Sequence, residues 1–227
     1  MKVFLMPQLS GEWWTVRRGI PTASEFDRIM TLKEMRISAS ADKYIAELVA
    51  DRVCLRPNYF STRERPVTLA MQHGTDCEPQ ARNFLAMELM KEIKEVGFCI
   101  TDDFRFGCSP DGLIGLQMSE KPTGEFHGEP YFDATCEGVV ELKCPELETQ
   151  ILCLMTGKSP TENPQQNAGH LIVTGAKYVL FMSYASGADH FIKKTEPDNF
   201  TREMRIAMEQ FHEKYQSTWK RIAGGRA

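Results

Sequence analysis

"CSPDGLIG" at 108–115 and "VVELKCP" at 139–145 decide how this chain is read. Ser-Pro-Asp-Gly is turn chemistry: proline pre-sets φ, aspartate bonds its own backbone, and glycine closes the bend. The second stretch is an apolar run with a glutamate and a lysine two positions apart. Side chains alternate faces along a strand, so Val140, Leu142 and Cys144 share one face and Glu141 and Lys143 project from the other. Taken singly, the first piece is a plain turn and the second a half-buried strand with a wet face. Taken together, they place Asp111 at the end of one strand and Glu141 and Lys143 on the next. Antiparallel pairing would then bring all three within a few ångströms. Two carboxylates so close repel unless a cation lies between them. Magnesium suits such a place, being content with one or two carboxylates and several waters. Leu142 would turn its side chain to the core and offer its backbone carbonyl, and Lys143 would stand beside a metal-bound water.

The chain of 227 residues is 42% hydrophobic and 26% charged, enough for a sizeable core in one domain spanning 1–227. No apolar run approaches the length of ~18 residues that a membrane span needs. The start, "MKVFLMPQLSGEWW", lacks a signal-peptide pattern. Seven cysteines, odd in number and without a C-x-x-C pair, read as reduced thiols of a cytoplasmic protein. The net charge of −4 argues against a module that simply coats nucleic acid, though not against an enzyme with a local basic cleft. Basic clusters at 17–18, 63–65 and 193–194 each read as solvated faces.

Periodicity gives helices, a small sheet, then helices, an α/β or α+β arrangement. Thr22 and Glu25 form a capping-box pattern, so a helix should begin at Ala23. Another covers 39–53, and 56–66 is a loop bounded by prolines. A long helix should start near Asp76, which as cap would excuse Pro79, with Ala81, Phe84, Leu85, Leu89 and Ile93 on one face. Strands are expected at 96–100, 104–108, 139–144, 178–184 and 190–194. The polar stretch 116–138 reads as a long hairpin or loop, and helices are expected at 146–156, 163–174 and 198–222.

Four blocks in order, "RRGIPTASEF", "GT-x-x-E-x-x-AR", "CSPDGL" and "ELKCP", resemble the phage-type alkaline exonucleases. These are phage lambda exonuclease-like, YqaJ-like viral recombinases of the restriction-endonuclease-like PD-(D/E)xK nuclease superfamily. The likeness spans roughly 13–184. It implies a restriction-endonuclease-like core, a small mixed β-sheet flanked by helices. Carried over, Asp111, Glu141, the Leu142 carbonyl and Glu78 are implied to hold two Mg²⁺ ions, with Mn²⁺ as a substitute. Lys143 is implied to be the catalytic lysine. Trp13, Arg17 and Ser24 match a segment that holds the 5′ phosphate of a DNA end. Arg17 offers a planar donor fork and Ser24 a place at a helix N-terminus, while core packing is the plainer role for Trp13. Ser109 matches a further phosphate contact, and Gln166 a glutamine on the following helix, with Gln165 a close competitor. Asp111 and Glu141 are 30 positions apart, with an insertion at 116–138 that could cover the site, touch DNA or meet another subunit. The activity implied is a processive 5′→3′ exonuclease on double-stranded DNA, working as a homotrimeric ring with a single-strand annealing protein. A structure- or sequence-specific endonuclease and a non-catalytic DNA-end clamp are the alternatives.

Overall fold

The computed structural model describes residues 1–54, 69–159 and 162–224; the loop read at 56–66 lies outside them, as do Arg63 and Arg65. In chain order the elements are β1 (Lys2–Phe4), α1 (Gly11–Val16), a 3-10 helix (Ala23–Arg28), α2 (Ala41–Val53), α3 (Leu69–Leu89), β2 (Ile93–Lys94), β3 (Phe98–Ile100), β4 (Gly107–Cys108) and β5 (Gly112–Ile114). There follow β6 (Gln117–Met118), β7 (Gly124–Phe126), β8 (Glu129–Thr135), β9 (Gly138–Lys143), α4 (Leu147–Thr156), α5 (Pro164–Thr174), β10 (Tyr178–Ser183), β11 (Phe191–Thr195) and α6 (Asn199–Ala223).

Five strands form a mixed sheet in the order β11-β10-β9-β5-β2. β9 and β10 run parallel, from Gly138 opposite Tyr178 to Lys143 opposite Ser183, and α4 and α5 make the crossover that parallel neighbours need. β5 runs antiparallel to β9, with Gly112 opposite Val140. One face of this sheet carries Val140, Leu142, Leu180 and Met182 against Ala81 and Leu85 of α3. The other carries Val139 and Val179 into the main core with Ala168, Leu171 and Ile172 of α5. β9 is therefore covered on both faces, and the wet face that the stretch taken singly would have does not exist: Glu141 is 3% exposed. The architecture is the small mixed sheet flanked by helices expected of a restriction-endonuclease-like core.

A second sheet, β4-β3-β1-β8-β6 with β7 on β8, joins the N-terminal strand to the insertion at 116–138. That insertion is a hairpin, β7–β8, turning through His127 (φ 54) and Gly128 (φ 84), the positive pair of a tight hairpin turn.

Three local expectations give way to longer-range partners. The capping box at Thr22 does not form. The Thr22 hydroxyl accepts from Arg17 Nη2 (3.3 Å), its N–H donates to the Tyr44 hydroxyl (3.0 Å), and Glu25 pairs with Arg28, leaving a 3-10 helix without a side-chain cap. α3 begins at Leu69 and runs through Pro79, because Asp76 accepts from Gln72 one turn earlier instead of capping; Ile93 leaves the helix for β2 but meets the same apolar cluster. The strand expected at 104–108 shrinks to β4, since the Thr101 hydroxyl takes the N–H groups of Arg105 and Phe106 and folds that segment into a turn with Phe104 at φ 59.

Candidate active site and DNA-end pocket

Asp111 lies in the turn between β4 and β5, just before the strand it was expected to end. Its N–H donates to the Val140 carbonyl (3.1 Å) and its Oδ2 accepts from the Leu142 N–H (2.6 Å), so turn and strand are locked in one register. Arg82, one helical turn after Glu78 on α3, donates to the Asp111 carbonyl (2.7 Å) and pairs with Glu95 (2.7 Å). Glu141 and Lys143 project from β9 towards α5. Lys143 Nζ donates to Glu141 Oε1 (2.5 Å), which also accepts from Gln166 Nε2 (2.7 Å). His170 Nε2 lies 2.9 Å from Oε2 of the same carboxylate.

The charges are strongly interdependent. Burial opposes ionisation of Glu141, but the Lys143 ammonium and the His170 hydrogen bond outweigh it and hold the carboxyl at about 2. Burial, then the charges of Glu141 and Glu78, push Asp111 well above the usual carboxylate range against the pull of Lys143. Glu78 is raised as well, by burial first, with Lys143 and Arg82 opposing. Burial works against the charge of Lys143, yet Glu141 and Asp111 hold its pKa above that of an ordinary lysine. Lys143 thus serves three acids, helped by Arg82 at Glu78 alone, a surplus of buried negative charge of the kind a cation relieves. Among the described residues no three acidic, histidine or cysteine side chains converge at ligating distance. Asp111 and Glu141, with a carbonyl and water, are still the hard, two-carboxylate set that magnesium takes, and Glu78 is close enough to feel their charge. The donor set fits the ion.

Beside these acids is a cavity of about 180 Å³ lined by Arg17, Ser24, Ser109, Gln166, His170 and Trp13, among others. All four residues expected at a 5′ phosphate meet here, from three separate segments. Arg17 Nη1 donates to the Ser109 hydroxyl (2.9 Å), and its guanidinium lies 4.0 Å over the Trp13 ring. Trp13 combines packing with placement: it is 5% exposed, and its indole N–H reaches the Gly97 carbonyl (2.8 Å) and the Ser109 hydroxyl (2.9 Å). Burial draws Arg17 down to about 10, leaving it charged at neutral pH. Gln165 instead donates to the Met30 carbonyl inside the core, so Gln166 is the glutamine that faces the site.

Sequence reading missed His170 and the anchoring by Arg82. Both sit four positions after a residue already singled out, on the same helix face, and that spacing was the available signal.

The family model for the YqaJ-like viral recombinase domain matches residues 12–177. An alkaline exonuclease from Laribacter hongkongensis superposes with a TM-score of 0.69 and 28% identity, over 96% of this chain and 100% of its own. The same enzyme in complex with dAMP matches equally. A phage-related exonuclease from Haemophilus somnus 129PT superposes at 0.54 with 10% identity, over 88% of this chain and 96% of its own, and bears on the fold alone. No curated protein matches the chain. With most of its length inside the family's span and a solved relative matched from end to end, the chain belongs to the YqaJ-like viral recombinase family, the phage-type alkaline exonucleases that its motifs resemble.

Proposed function

We propose that this nuclease is a Mg²⁺-dependent 5′→3′ exonuclease that digests linear double-stranded DNA, releases 5′-mononucleotides and leaves a 3′ single strand for recombination by annealing. One observation carries the reading. The cavity holding Arg17, Ser24 and Ser109 is joined to the acids through Gln166 and His170, which line it and bond Glu141 at 2.7 and 2.9 Å. A terminal phosphate in the cavity would set the next phosphodiester against Asp111, Glu141 and Lys143.

Asp111 and Glu141, with the Leu142 carbonyl and Glu78, would hold the divalent cations, Mn²⁺ serving in place of Mg²⁺. Bound there, the cations supply Lewis acidity to the scissile phosphate and to water. Lys143 holds the attacking water or stabilises the charge that grows on the phosphoryl oxygens. Water adds to phosphorus as the bond to the 3′ oxygen breaks, and the 3′ oxygen leaves with a proton. Arg17, Ser24 and Ser109 grip the terminal phosphate that each turnover regenerates. A mononucleotide product agrees with the dAMP found with the Laribacter enzyme. Processivity would come from a homotrimeric ring in the bacterial cytoplasm, with a single-strand annealing protein as partner. No helix among the described residues is long and apolar enough to cross a membrane. A ring requires a solution mass that is a multiple of 25.8 kDa, and a fully active monomer by light scattering would remove it.

The deciding experiment is digestion of linear duplexes labelled at either end, with and without Mg²⁺, beside closed circular DNA. Mononucleotides should appear from the 5′ label first, only with the metal, and the circles should stay intact. Equal release from both ends, or nicked circles, would overturn the reading.

A further inference from the structure

Glu141 is held from one side by a single helix. Gln166 and His170 are four positions apart on α5, and each bonds one oxygen of the same carboxylate, Oε1 at 2.7 Å and Oε2 at 2.9 Å. His170 is 1% exposed and Glu141 3%. A carboxylate offers only acceptors, so the imidazole must carry a hydrogen on Nε2, which leaves Nδ1 as the ring's second nitrogen. That Nδ1 is buried and finds no partner among the described protein groups, while the ring lines the end cavity.

The helix bearing this ring has little room to move. At Gly169, a Cβ would come within 2.6 Å of the Phe26 ring and 2.8 Å of the Ala23 Cβ, so α5 lies directly on the 3-10 helix that carries Ser24. The helix is closed at one end by the Asn163 side chain, which accepts from the Gln166 N–H (3.0 Å), and at the other by Gly175 in the left-handed region (φ 69). Lys143 differs in this respect. Its side chain keeps 35% exposure and shares Oε1 with Gln166, whereas Oε2 has only His170 among the described residues. The two oxygens of the carboxylate are thus held separately, Oε1 by Lys143 and Gln166 and Oε2 by the imidazole.

We propose that His170, on a helix packed against the 3-10 helix that carries Ser24, is the positioning residue that fixes the Glu141 carboxylate for its divalent cation. The proposal rests on the reading that Asp111 and Glu141 bind such a cation. Hydrogen-bond partners that orient metal ligands characteristically contribute about ten- to a hundredfold in metal affinity.

The test is Mn²⁺ binding to the full chain without DNA, by titration calorimetry, with thermal melting as the check on folding. His170→Leu removes the donor at similar size, and His170→Asn keeps polarity but is too short to reach Oε2; each should weaken Mn²⁺ about ten- to a hundredfold. His170→Gln, whose amide reaches nearly as far as Nε2, should restore affinity to within about threefold of the wild type by keeping the ligand-orienting bond. Should His170→Leu fail to fold, His170→Asn takes its place. Wild-type affinity in a folded leucine or asparagine variant overturns the proposal while the cation site stands. If the wild-type chain binds no Mn²⁺, or if Asp111→Asn binds it unchanged, the cation reading fails and the role of His170 falls with it.

Discussion

Strands β9 and β11 flank β10 in one sheet, and each carries lysine, one in β9 and two in β11, yet the two have opposite fates. In β9, Glu141 and Lys143 are two positions apart and share a face, and that face is roofed by α5. In β11, Lys193 and Lys194 are consecutive and point to opposite sides of an edge strand. Both stay about half exposed, Lys193 pairing with Glu162 (2.9 Å) and Lys194 with Glu196 (2.6 Å). Charges on an edge cost little and discourage pairing with another chain. Charges under a helix must be paired and bonded, or the burial is unaffordable. What separates a site from a solvated face is therefore not the lysine but what covers it. The sharpest way to break this comparison is to remove charges from each strand and its neighbours.

The largest effect should come from Asp111→Asn, which keeps the side chain's shape and its bond from Leu142 N–H while removing a charge that the proposed cations would need. Turnover should fall at least 10³-fold, equivalent to about 4 kcal/mol of transition-state stabilisation. DNA binding should persist or tighten. A variant keeping a tenth of the wild-type rate in Mg²⁺ would leave Asp111 with a structural role only.

Next is the direct contrast between the two strands. Lys143→Ala should slow single-turnover cleavage by about 10²-fold or more, as expected for a positioned proton or charge donor, with DNA affinity within a few-fold of the wild type. Lys193→Ala, losing an exposed pair worth ~0–1 kcal/mol, should leave rate and melting temperature nearly unchanged. Similar rates for the two variants would erase the distinction drawn between β9 and β11.

Much of this contrast can be read from sequence, because alternation and turn chemistry are local. The faces of β9, the Ser-Pro-Asp turn and the helices at 146–156 and 163–174 all follow from such signals, as does the last helix, where Asp198 caps α6. What sequence could not supply is the identity of distant partners. Thr22 has the pattern of a capping residue, yet Tyr44 and Arg17 claim its N–H and hydroxyl. Nothing in "VVELKCP" says that a helix 23 to 33 positions later will lie on Glu141 and bring His170. Arg17 and Lys193 look alike in sequence, as members of basic pairs. Only the fold lays Arg17 over Trp13 and against Ser109.

That difference sets the third prediction. Charge-assisted bonds contribute about 1.5–3 kcal/mol each, so an Arg17 phosphate grip should favour 5′-phosphorylated over 5′-hydroxyl ends by about one to two decades in initiation rate. Arg17→Ala should abolish most of that preference by slowing phosphorylated ends alone. Arg18, which bonds the Cys54 carbonyl and does not line the cavity, is the control. Equal slowing of both ends by Arg17→Ala would make it a general DNA contact.

The smallest effect should come from the second sheet, and it asks whether the insertion at 116–138 supports the end pocket. Phe126 at the end of β7 stacks on Phe104 (4.9 Å between centroids) and joins the cluster that holds Trp13, the platform under Arg17. His127 stacks on Phe126 (4.1 Å), and its Nδ1 lies 3.0 Å from the Thr15 carbonyl on α1, two residues from Arg17. The hairpin thus leans on the end of α1 that carries Arg17. His127→Gly removes the ring while easing the turn, because glycine accepts the positive φ that histidine adopts there at a cost. A loss after this change cannot be blamed on turn strain. One neutral hydrogen bond is worth about 0.5–1.5 kcal/mol, so the preference for phosphorylated ends should drop about two- to tenfold by the ~1.4 kcal/mol per decade relation. Initiation on hydroxyl ends and the rate of later steps should hold. If initiation on both ends is unchanged, the hairpin does not brace α1; if all rates fall together, it supports the whole fold instead of the pocket.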